Sequence, residues 1–290
     1  MMLWIVLALF SAFLTAVVSI IDKKILLREH AMEFSAIFSL TNAILVLFFI
    51  PFVDFHIKLA DLLFIYFISW FGTLGFLFSI KAIRHMQLSS LLPFVNFSPV
   101  IAAFLGVLFL NEVLNLKQWT GIILLLAGGY VLETRNVANY REFFRNIIRS
   151  KSLHYLFLAL LFYSFTAIAD RYIITKITDN NTYLFFVLIF IAFNFFLMSS
   201  LFYGGIKDMK RGLVKHWKLF VFAGFLTFIY RVSYIYSLSL ADDLASVLSL
   251  KRLSVLFGVV LAGSFLHEKG LGKKIIATLI MLVGVALLVI

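Results

Sequence analysis

The most regular feature of the sequence is a series of long apolar stretches separated by short polar ones. A hydrocarbon core of about 30 Å is crossed by about 20 apolar residues of α-helix, so each stretch is long enough for one crossing. We place the predicted helices near residues 3–21, 33–53, 60–80, 88–110, 116–133, 153–170, 183–203, 217–240, 244–266 and 271–290. The pattern therefore predicts an all-α membrane protein with ten transmembrane helices.

Composition supports this fold class and excludes others. Of 290 residues, 63% are hydrophobic and 13% are charged, whereas a soluble domain is about half apolar and a quarter charged. The chain has no cysteine, which excludes a disulfide framework and any metal site built on thiolates. The stretch 3–21 lacks a basic segment and a small-residue cleavage site, so we predict a retained helix rather than a signal peptide.

The two halves of the sequence resemble each other. When 88–132 is shifted by 156 positions onto 244–288, twelve of the 45 aligned residues are identical. Five helices per repeat is an odd number, so the second copy must enter the membrane from the opposite side. Such inverted repeats recur in secondary transporters, with the substrate site near the bilayer midplane between the halves.

The repeat defines the predicted domains. The first five-helix repeat covers 1–133, a polar linker covers 134–152, and the second five-helix repeat covers 153–290. The first helices of the repeats also align, which places Asp22 over Asp170. Each acid is followed by a basic residue, and we expect either a local ion pair at the helix end or a gate between the halves.

The basic residues are unevenly distributed between the two sides of the predicted bundle. The loops after the first, third, fifth, seventh and ninth helices, with the helix ends beside them, carry 18 Lys and Arg residues, and the loops and helix ends on the other side carry four. We call these sides the basic face and the termini face. The positive-inside rule places the basic face in the cytoplasm and both termini outside. The net charge of +11 then fits loops facing anionic lipid and not nucleic acid.

Three cations lie deep inside the predicted spans, away from the helix ends: Arg231 in the eighth helix, and Lys251 and Arg252 in the ninth. At 1.5 Å per residue, all three lie roughly 10–14 Å below the termini face. Each costs about 3 kcal/mol at the bilayer centre unless it is compensated. Asp170 is the clearest acid at that depth, and one carboxylate cannot neutralise three cations.

We therefore predict that an anionic substrate in a wet cavity supplies the missing negative charge. Arginine offers a planar fork for carboxylate or phosphate, lysine adds a compact charge, and Tyr230 and Tyr234 flank Arg231. In the structural alternative Arg231 pairs with Asp170, Lys251 snorkels to the interface and Arg252 bonds backbone carbonyls. A site for a lipid headgroup is a third reading.

The matching positions of the first repeat are not charged. Arg252 aligns with Asn96, and Arg231 aligns with Gly75, so the second repeat should dominate binding. Asn96 is expected either to orient the substrate or to bond a neighbouring helix. Pro99 frees one carbonyl and should kink the fourth helix. Glu268 is expected to complement the N-terminus of the tenth helix.

Several kinds of chemistry have no counterpart in the sequence. There is no His/Glu cluster with metal-ligand spacing, no Walker A loop and no Ser/His/Asp arrangement. We therefore predict no metal, no cofactor and no enzymatic activity.

The sequence resembles the drug/metabolite transporter superfamily, EamA type. The matching residues are Ser98-Pro99, Leu110-Asn111-Glu112, Gly121 and Gly128 in the first half, and Leu266-His267-Glu268 and Gly284 in the second. Leu250-Lys251-Arg252 is similar to the Lys-Arg pair with which triose-phosphate translocators of that superfamily grip phosphate, although Val95-Asn96 stands where they use a lysine. The resemblance implies a cavity lined by helices 1, 3, 4, 6, 8 and 9. It also implies cytoplasmic termini, against the charge count.

Together these features predict a secondary transporter that moves a small anionic or zwitterionic metabolite by alternating access. Arg231, Lys251 and Arg252 would bind the anion, Asn96 and nearby tyrosines would orient it, and Asp170 would hold the cations in the empty state. The alternatives are a flippase for a lipid phosphate and an exporter of drugs or amino acids. We expect the protein to lie in the cell membrane. A homodimer is compatible with the sequence, which does not predict the oligomeric state.

Overall fold

The computed structural model describes residues 3–110, 114–133, 149–202, 206–240 and 244–289, and these residues form helices without a strand. The helices are α1 (Leu3–Leu26), α2 (Ala31–Val46, extended by a 3-10 turn over Leu47–Phe52), α3 (Leu59–His85), α4, α5 (Leu116–Glu133), α6 (Lys151–Lys176), α7 (Asn180–Phe202), α8 (Ile206–Leu240), α9 (Leu244–Phe265) and α10 (Leu271–Val289). The segment α4 consists of a helical turn at Leu88–Leu91, a 3-10 stretch at Leu92–Phe97 and an α-helix at Ser98–Leu110. Most of the predicted linker 134–152 and Glu112 lie outside the described residues.

Several helices are long and apolar enough to cross a bilayer. Over the part of the chain that the structure describes, five meet this requirement: Leu3–Leu26, Ala31–Phe52, Leu59–His85, Asn180–Phe202 and Leu271–Leu288. Shorter apolar helices cover Leu88–Ile101 and Leu116–Leu132. The described part of the chain is therefore all-helical, with several helices suited to a bilayer.

Polar side chains fix where several helices begin. The Ser150 hydroxyl accepts a hydrogen bond from the backbone N–H of Leu153 at the start of α6. Before α5, Asn115 and Gln118 exchange two side-chain to backbone hydrogen bonds of 2.9 Å. Both arrangements satisfy N–H groups that a helix leaves unpaired in its first turn.

The irregular part of α4 lies between two prolines. The sequence predicts a kink at Pro99, but the distorted stretch is Leu92–Phe97, with Pro93 at its start, and Pro99 falls in the first turn of the α-helix that follows. Because proline has no N–H, the Val95 carbonyl receives a 3-10 bond from the N–H of Ser98 instead of a bond from residue 99. The 3-10 stretch is how the chain keeps this carbonyl bonded.

Repeat-related helices pack antiparallel to each other. A Cβ on Gly121 in α5 would lie 2.6 Å from the carbonyl oxygen of Gly284 in α10, and one on Gly128 would lie 2.9 Å from the oxygen of Ala277. The shift of 156 residues converts the first of these contacts into the second. The α5–α10 seam therefore lies on a pseudo-two-fold axis, as an inverted repeat requires.

The repeat-related helices α2 and α7 form a second antiparallel pair across the pseudo-two-fold axis. Ala36, early in α2, clusters with Phe195, late in α7, and Val46, at the end of α2, clusters with Leu184. The neighbouring helices α3 and α6 also run antiparallel, since ring contacts pair residue 64 with 172 and residue 78 with 155. The space between α2, α3, α6, α7 and α8 is not filled, and it holds the candidate site.

Candidate functional site

A cavity of about 410 Å³ lies within the helix bundle. Residues of α2, α3, α6, α7, α8 and α9 line it, and Ile174 and Asn180, at the α6–α7 connection, bring it to the termini face. The family resemblance implied a cavity lined by helices 1, 3, 4, 6, 8 and 9, and this prediction is only partly met. Among the described lining residues, α2 and α7 take the places expected for α1 and α4. The polar lining residues are Ser39, Asn42, Ser69, Tyr163, Thr166, Asp170, Asn180, Tyr183, Tyr230, Arg231, Tyr234 and Lys251.

Arg231 lines the cavity together with Tyr230 and Tyr234, which lie one residue before it and three residues after it in α8. Its Nε is buried and has no hydrogen-bond partner among the described residues. The backbone at this point is fixed from α1, because the hydroxyl of Ser11 donates to the Tyr230 carbonyl at 2.9 Å. The backbone that carries Arg231 is thus fixed by the fold, and the Nε–H group is left without a described partner.

Lys251 reaches the cavity from α9 and lies against aromatic rings. Its Nζ is 3.4 Å from the centroid of the Tyr234 ring and 6.0 Å from that of Tyr230. A cation over a ring face is attracted by the ring quadrupole, and the attraction strengthens when the pair is desolvated. The ring faces meet the ammonium inside the bundle, in place of the snorkelling expected in the structural alternative.

Arg252 lies outside the set of cavity-lining residues. Its Nη2 donates to the Ser98 hydroxyl at 2.9 Å, and its Nη1 lies 3.5 Å from the Val95 carbonyl oxygen. The guanidinium therefore joins α9 to the 3-10 part of α4. Of the three predicted cations, the structure brings two to the cavity, and the third bonds a hydroxyl and one of the backbone carbonyls that the structural alternative expected.

Asp170 also lines the cavity, where the hydroxyl of Tyr183 donates a hydrogen bond to its carboxylate. Among the described residues it forms no ion pair with Arg231 or Lys251. The pairing of Asp170 with Arg231 that would have neutralised the site is therefore not seen in the described part of the chain. The cavity holds two cations and, among its described residues, one carboxylate.

The other predicted site residues lie elsewhere. Asn96 is fully buried, does not line the cavity, and has no partner for either polar side-chain atom among the described residues. Asp22 is 7% exposed, again outside the cavity. Its neighbour Lys23 donates to the carbonyls of Ile83, Arg84 and Met86 at 2.6, 3.1 and 2.7 Å. Lys23 therefore compensates the C-terminus of α3, and the expected local ion pair with Asp22 is not formed.

Sequence reasoning missed much of the polar lining on α2, α3, α6 and α7. A signal existed, because polar residues inside apolar spans default to functional candidates, and Asn42, Thr166 and Tyr183 are such residues.

Gly75, the position aligned with Arg231, makes room for a lining residue of the cavity. A Cβ there would lie 3.0 Å from the Tyr163 ring, so the glycine gives that tyrosine room beside the cavity.

Phenylalanine rings close the cavity toward the basic face. Phe38 and Phe76 line its floor, and their centroids are 5.6 Å apart. Phe34 lies behind them, 5.4 Å from Phe38 and 5.5 Å from Phe220. We call Phe34, Phe38, Phe76 and Phe220 the aromatic plug. It joins α2, α3 and α8 and packs within the largest hydrophobic cluster of the described residues.

At the termini face the cavity borders the capped start of α7. Asp179 accepts hydrogen bonds from the N–H groups of Asn181 and Thr182 and from the Thr182 hydroxyl. Partial burial raises the pKa of the Asp179 carboxyl, but the hydrogen bonds outweigh it and leave the pKa below the ordinary value. The carboxylate stays ionised at neutral pH and holds the helix that supplies Asn180 and Tyr183 to the cavity.

Comparison with known proteins gives a family and a fold. No curated protein matches the chain. A protein of known crystal structure is similar with a TM-score of 0.56 and 13% identity, over 98% of this chain and 95% of the other, and this likeness concerns the fold alone. The model of the EamA-like transporter family matches residues 2–134 and 150–290. With both halves matched, the chain belongs to the EamA-like transporter family, a family of multi-pass membrane transporters.

Proposed function

We propose that this protein is a secondary transporter in the cell membrane that moves a small anionic or zwitterionic organic solute by alternating access. The halves would expose the cavity to each side in turn. All ten helical segments would cross the bilayer, with the basic face in the cytoplasm as the charge distribution indicates. No metal or cofactor takes part in this proposal.

One observation carries the proposal. Arg231 and Lys251 both line the cavity, and neither forms an ion pair with a described carboxylate. Buried charges in proteins are normally paired, and an unpaired cation at membrane depth is costly. A bound anion would remove that cost, so the unmet charge favours an anionic group as the ligand.

The lining suggests how such a solute would be held. The guanidinium of Arg231 offers a fork for a carboxylate or phosphate oxygen pair, and Lys251 adds a second charge. Tyr163, Tyr230 and Tyr234 provide ring faces and hydroxyl groups for the rest of the molecule. Asp170 would accept an ammonium group if the solute is zwitterionic, and it would otherwise stay bonded to Tyr183. A cavity of 410 Å³ is at the small end of ligand pockets.

The first test identifies the ligand class with purified protein. Thermal unfolding is measured against panels of phosphate esters, carboxylates, amino acids and amines, and hits are assayed for uptake into proteoliposomes. We expect anions or zwitterions to raise the melting temperature, because a ligand that binds only the folded state stabilises it. Stabilisation by amines alone would contradict the proposal.

Charge-neutralising variants then locate the site. Arg231→Gln and Lys251→Gln should lower uptake by about tenfold or more, the loss typical of charged hydrogen bonds, and leave the unliganded melting temperature near wild type. Lys117→Gln, at an exposed position outside the cavity, is the matched control and should change neither quantity. Arg252→Gln should instead lower the melting temperature, since it removes the contacts with α4. Normal uptake by both cavity variants would refute the assignment.

A flippase for a lipid phosphate remains the second candidate because of one further feature. An apolar crevice of about 390 Å³ between α3 and α7 is lined by Leu62, Leu63, Tyr66, Ile189, Phe190 and Phe193. The same two helices line the cavity, so in this candidate an acyl chain would occupy the crevice and the phosphate would bind Arg231. Scrambling of a fluorescent phospholipid in proteoliposomes, abolished by Arg231→Gln, would favour this candidate over a soluble solute.

A further inference from the structure

A second polar cluster lies at the basic face, far from the cavity. Glu268, in the connection between α9 and α10, accepts the backbone N–H groups of Leu88 and Ser89 at 2.8 and 2.9 Å, and the Ser89 hydroxyl as well. The sequence suggested that this acid complements the N-terminus of α10. The structure corrects this, because the carboxylate binds the start of α4 in the other repeat.

Lys274 completes the cluster. Its Nζ donates to Gln87 Oε1 and to Ser89 Oγ, both at 2.7 Å, and lies 3.7 Å from Glu268 Oε2. The side chains of Lys274 and Glu268 are only 9% and 7% exposed. Removing one member of a buried, hydrogen-bonded ion pair is strongly unfavourable, because the other charge is left uncompensated. We call Gln87, Ser89, Glu268 and Lys274 the basic-face cluster.

The basic-face cluster joins the two repeats on the closed side of the molecule. Gln87 and Ser89 belong to the first repeat, and Glu268 and Lys274 belong to the second. On this side the aromatic plug separates the cavity from the basic face. The start of α4 cannot move away from the α9–α10 connection unless the hydrogen bonds to Glu268 break.

The repeat-related positions carry different chemistry. The shift of 156 residues keeps the acid, since Glu112 aligns with Glu268, but it places Gln118 at Lys274 and Ala245 at Ser89. Gln118 removes the ammonium, and Asp243, which aligns with Gln87, adds a second carboxylate. At the aligned positions, the termini face therefore lacks the ammonium and the hydroxyl that contact the acid at the basic face.

From this inequality we infer that the basic-face cluster is a latch that holds the basic face shut, so that the form open to the termini face is the resting state of the transporter. The inference rests on the proposed function, because it assumes that the protein alternates between two openings. It adds which opening is favoured and which side chains set the preference.

The absence of cysteine from the chain allows a direct test with single cysteines. Thr166→Cys reports on the cavity, which Thr166 lines. Ala223→Cys reports on the closed side, since Ala223 is fully buried and lies seven residues before Tyr230, about 10 Å along α8. Labelling by a water-soluble maleimide is measured on purified protein in detergent, where both faces are accessible. In the otherwise wild-type chain the first cysteine should react and the second should be protected.

Glu268→Gln should change the two rates in opposite directions. Labelling at position 223 should rise by about tenfold or more, the factor expected when charged hydrogen bonds are lost, and labelling at position 166 should fall. Ser89→Ala, which removes one hydroxyl, should produce a smaller shift of the same kind. Lys269→Gln, an exposed neighbour of Glu268, is the control and should leave both rates unchanged.

Other results would overturn the latch. Faster labelling at both positions, with a lower melting temperature, would mean that Glu268 only supports folding. Unchanged rates in both Glu268→Gln and Ser89→Ala would mean that the contact does not govern the opening. Neither result touches the proposed function, which fails separately if anions do not bind or if Arg231→Gln transports normally.

Discussion

At the residue scale, two adjacent cations of α9 have different surroundings. Successive residues of an α-helix point about 100° apart, so Lys251 faces the cavity and Arg252 faces α4. One helix thus provides a group for the ligand and a group for the scaffold at the same depth. The ligand-facing cation depends on Tyr234, whose ring lies 3.4 Å from its nitrogen.

This contact can be tested by separating the ring of Tyr234 from its hydroxyl. Tyr234→Phe keeps the ring face, so the half-saturating ligand concentration in uptake should stay close to wild type. Tyr234→Leu removes a cation–π contact of about 0.5–2 kcal/mol, which lets Lys251 leave its position and should raise that concentration by about tenfold. Equal effects of the two variants would show that the hydroxyl matters and that the ring does not hold the lysine.

The sequence predicts the depth of charged residues better than their direction. Counting residues along two connected helices predicted that Arg231 and Lys251 lie near each other, and both line one cavity. The same count could not show that Arg252 turns toward Ser98, because that requires the packing of α9 against α4. Asn96 could not be assigned for the same reason: its partners and its distance from the cavity depend on contacts between distant segments.

At the element scale, the α5–α10 seam depends on glycines that allow two backbones to touch. Gly121→Ala would place a methyl group 2.6 Å from the Gly284 oxygen and 3.0 Å from the Leu288 nitrogen. Neither backbone atom can move aside without shifting its helix, and overpacking of this kind typically costs about 1–3 kcal/mol. The melting temperature of purified protein should therefore fall by several degrees.

Gly272 in α10 provides the matched control. A Cβ there meets nothing within 4 Å, and alanine is favoured over glycine in a helix. Gly272→Ala should leave the melting temperature unchanged or raise it slightly. A similar loss of stability in both variants would contradict the role assigned to the seam.

Helix boundaries show where hydrophobicity alone does not predict the start of a helix. The predicted eighth helix begins at residue 217, where the apolar run begins, but α8 begins at Ile206. Lys207, Asp208 and Lys210 break the apolar pattern without breaking the helix, because lysine is a good helix former. The 3-10 stretch in α4 was missed for a different reason: Pro93 and Pro99 act together, and the sequence does not show which one distorts the chain.

At the scale of the whole molecule, the cavity is open to one side and the plug and basic-face cluster close the other. The charge count places the closed side in the cytoplasm, and the family resemblance implies the reverse. Single cysteines at Lys117 and Lys269, both exposed and on opposite faces, distinguish these orientations. In intact cells, a membrane-impermeant maleimide should label Lys117→Cys directly and Lys269→Cys only after permeabilisation. The opposite pattern would place the termini in the cytoplasm.

The glycine contacts between α5 and α10 limit how the halves can move. Backbones this close interlock, so sliding one helix along the other would drive Leu125 or Met281 into the space that the glycines leave open. Rotation about the contact meets no such obstacle. We therefore expect the two repeats to rotate about the α5–α10 seam as rigid bodies. The distance between Gly121 and Gly284 should stay constant during this motion.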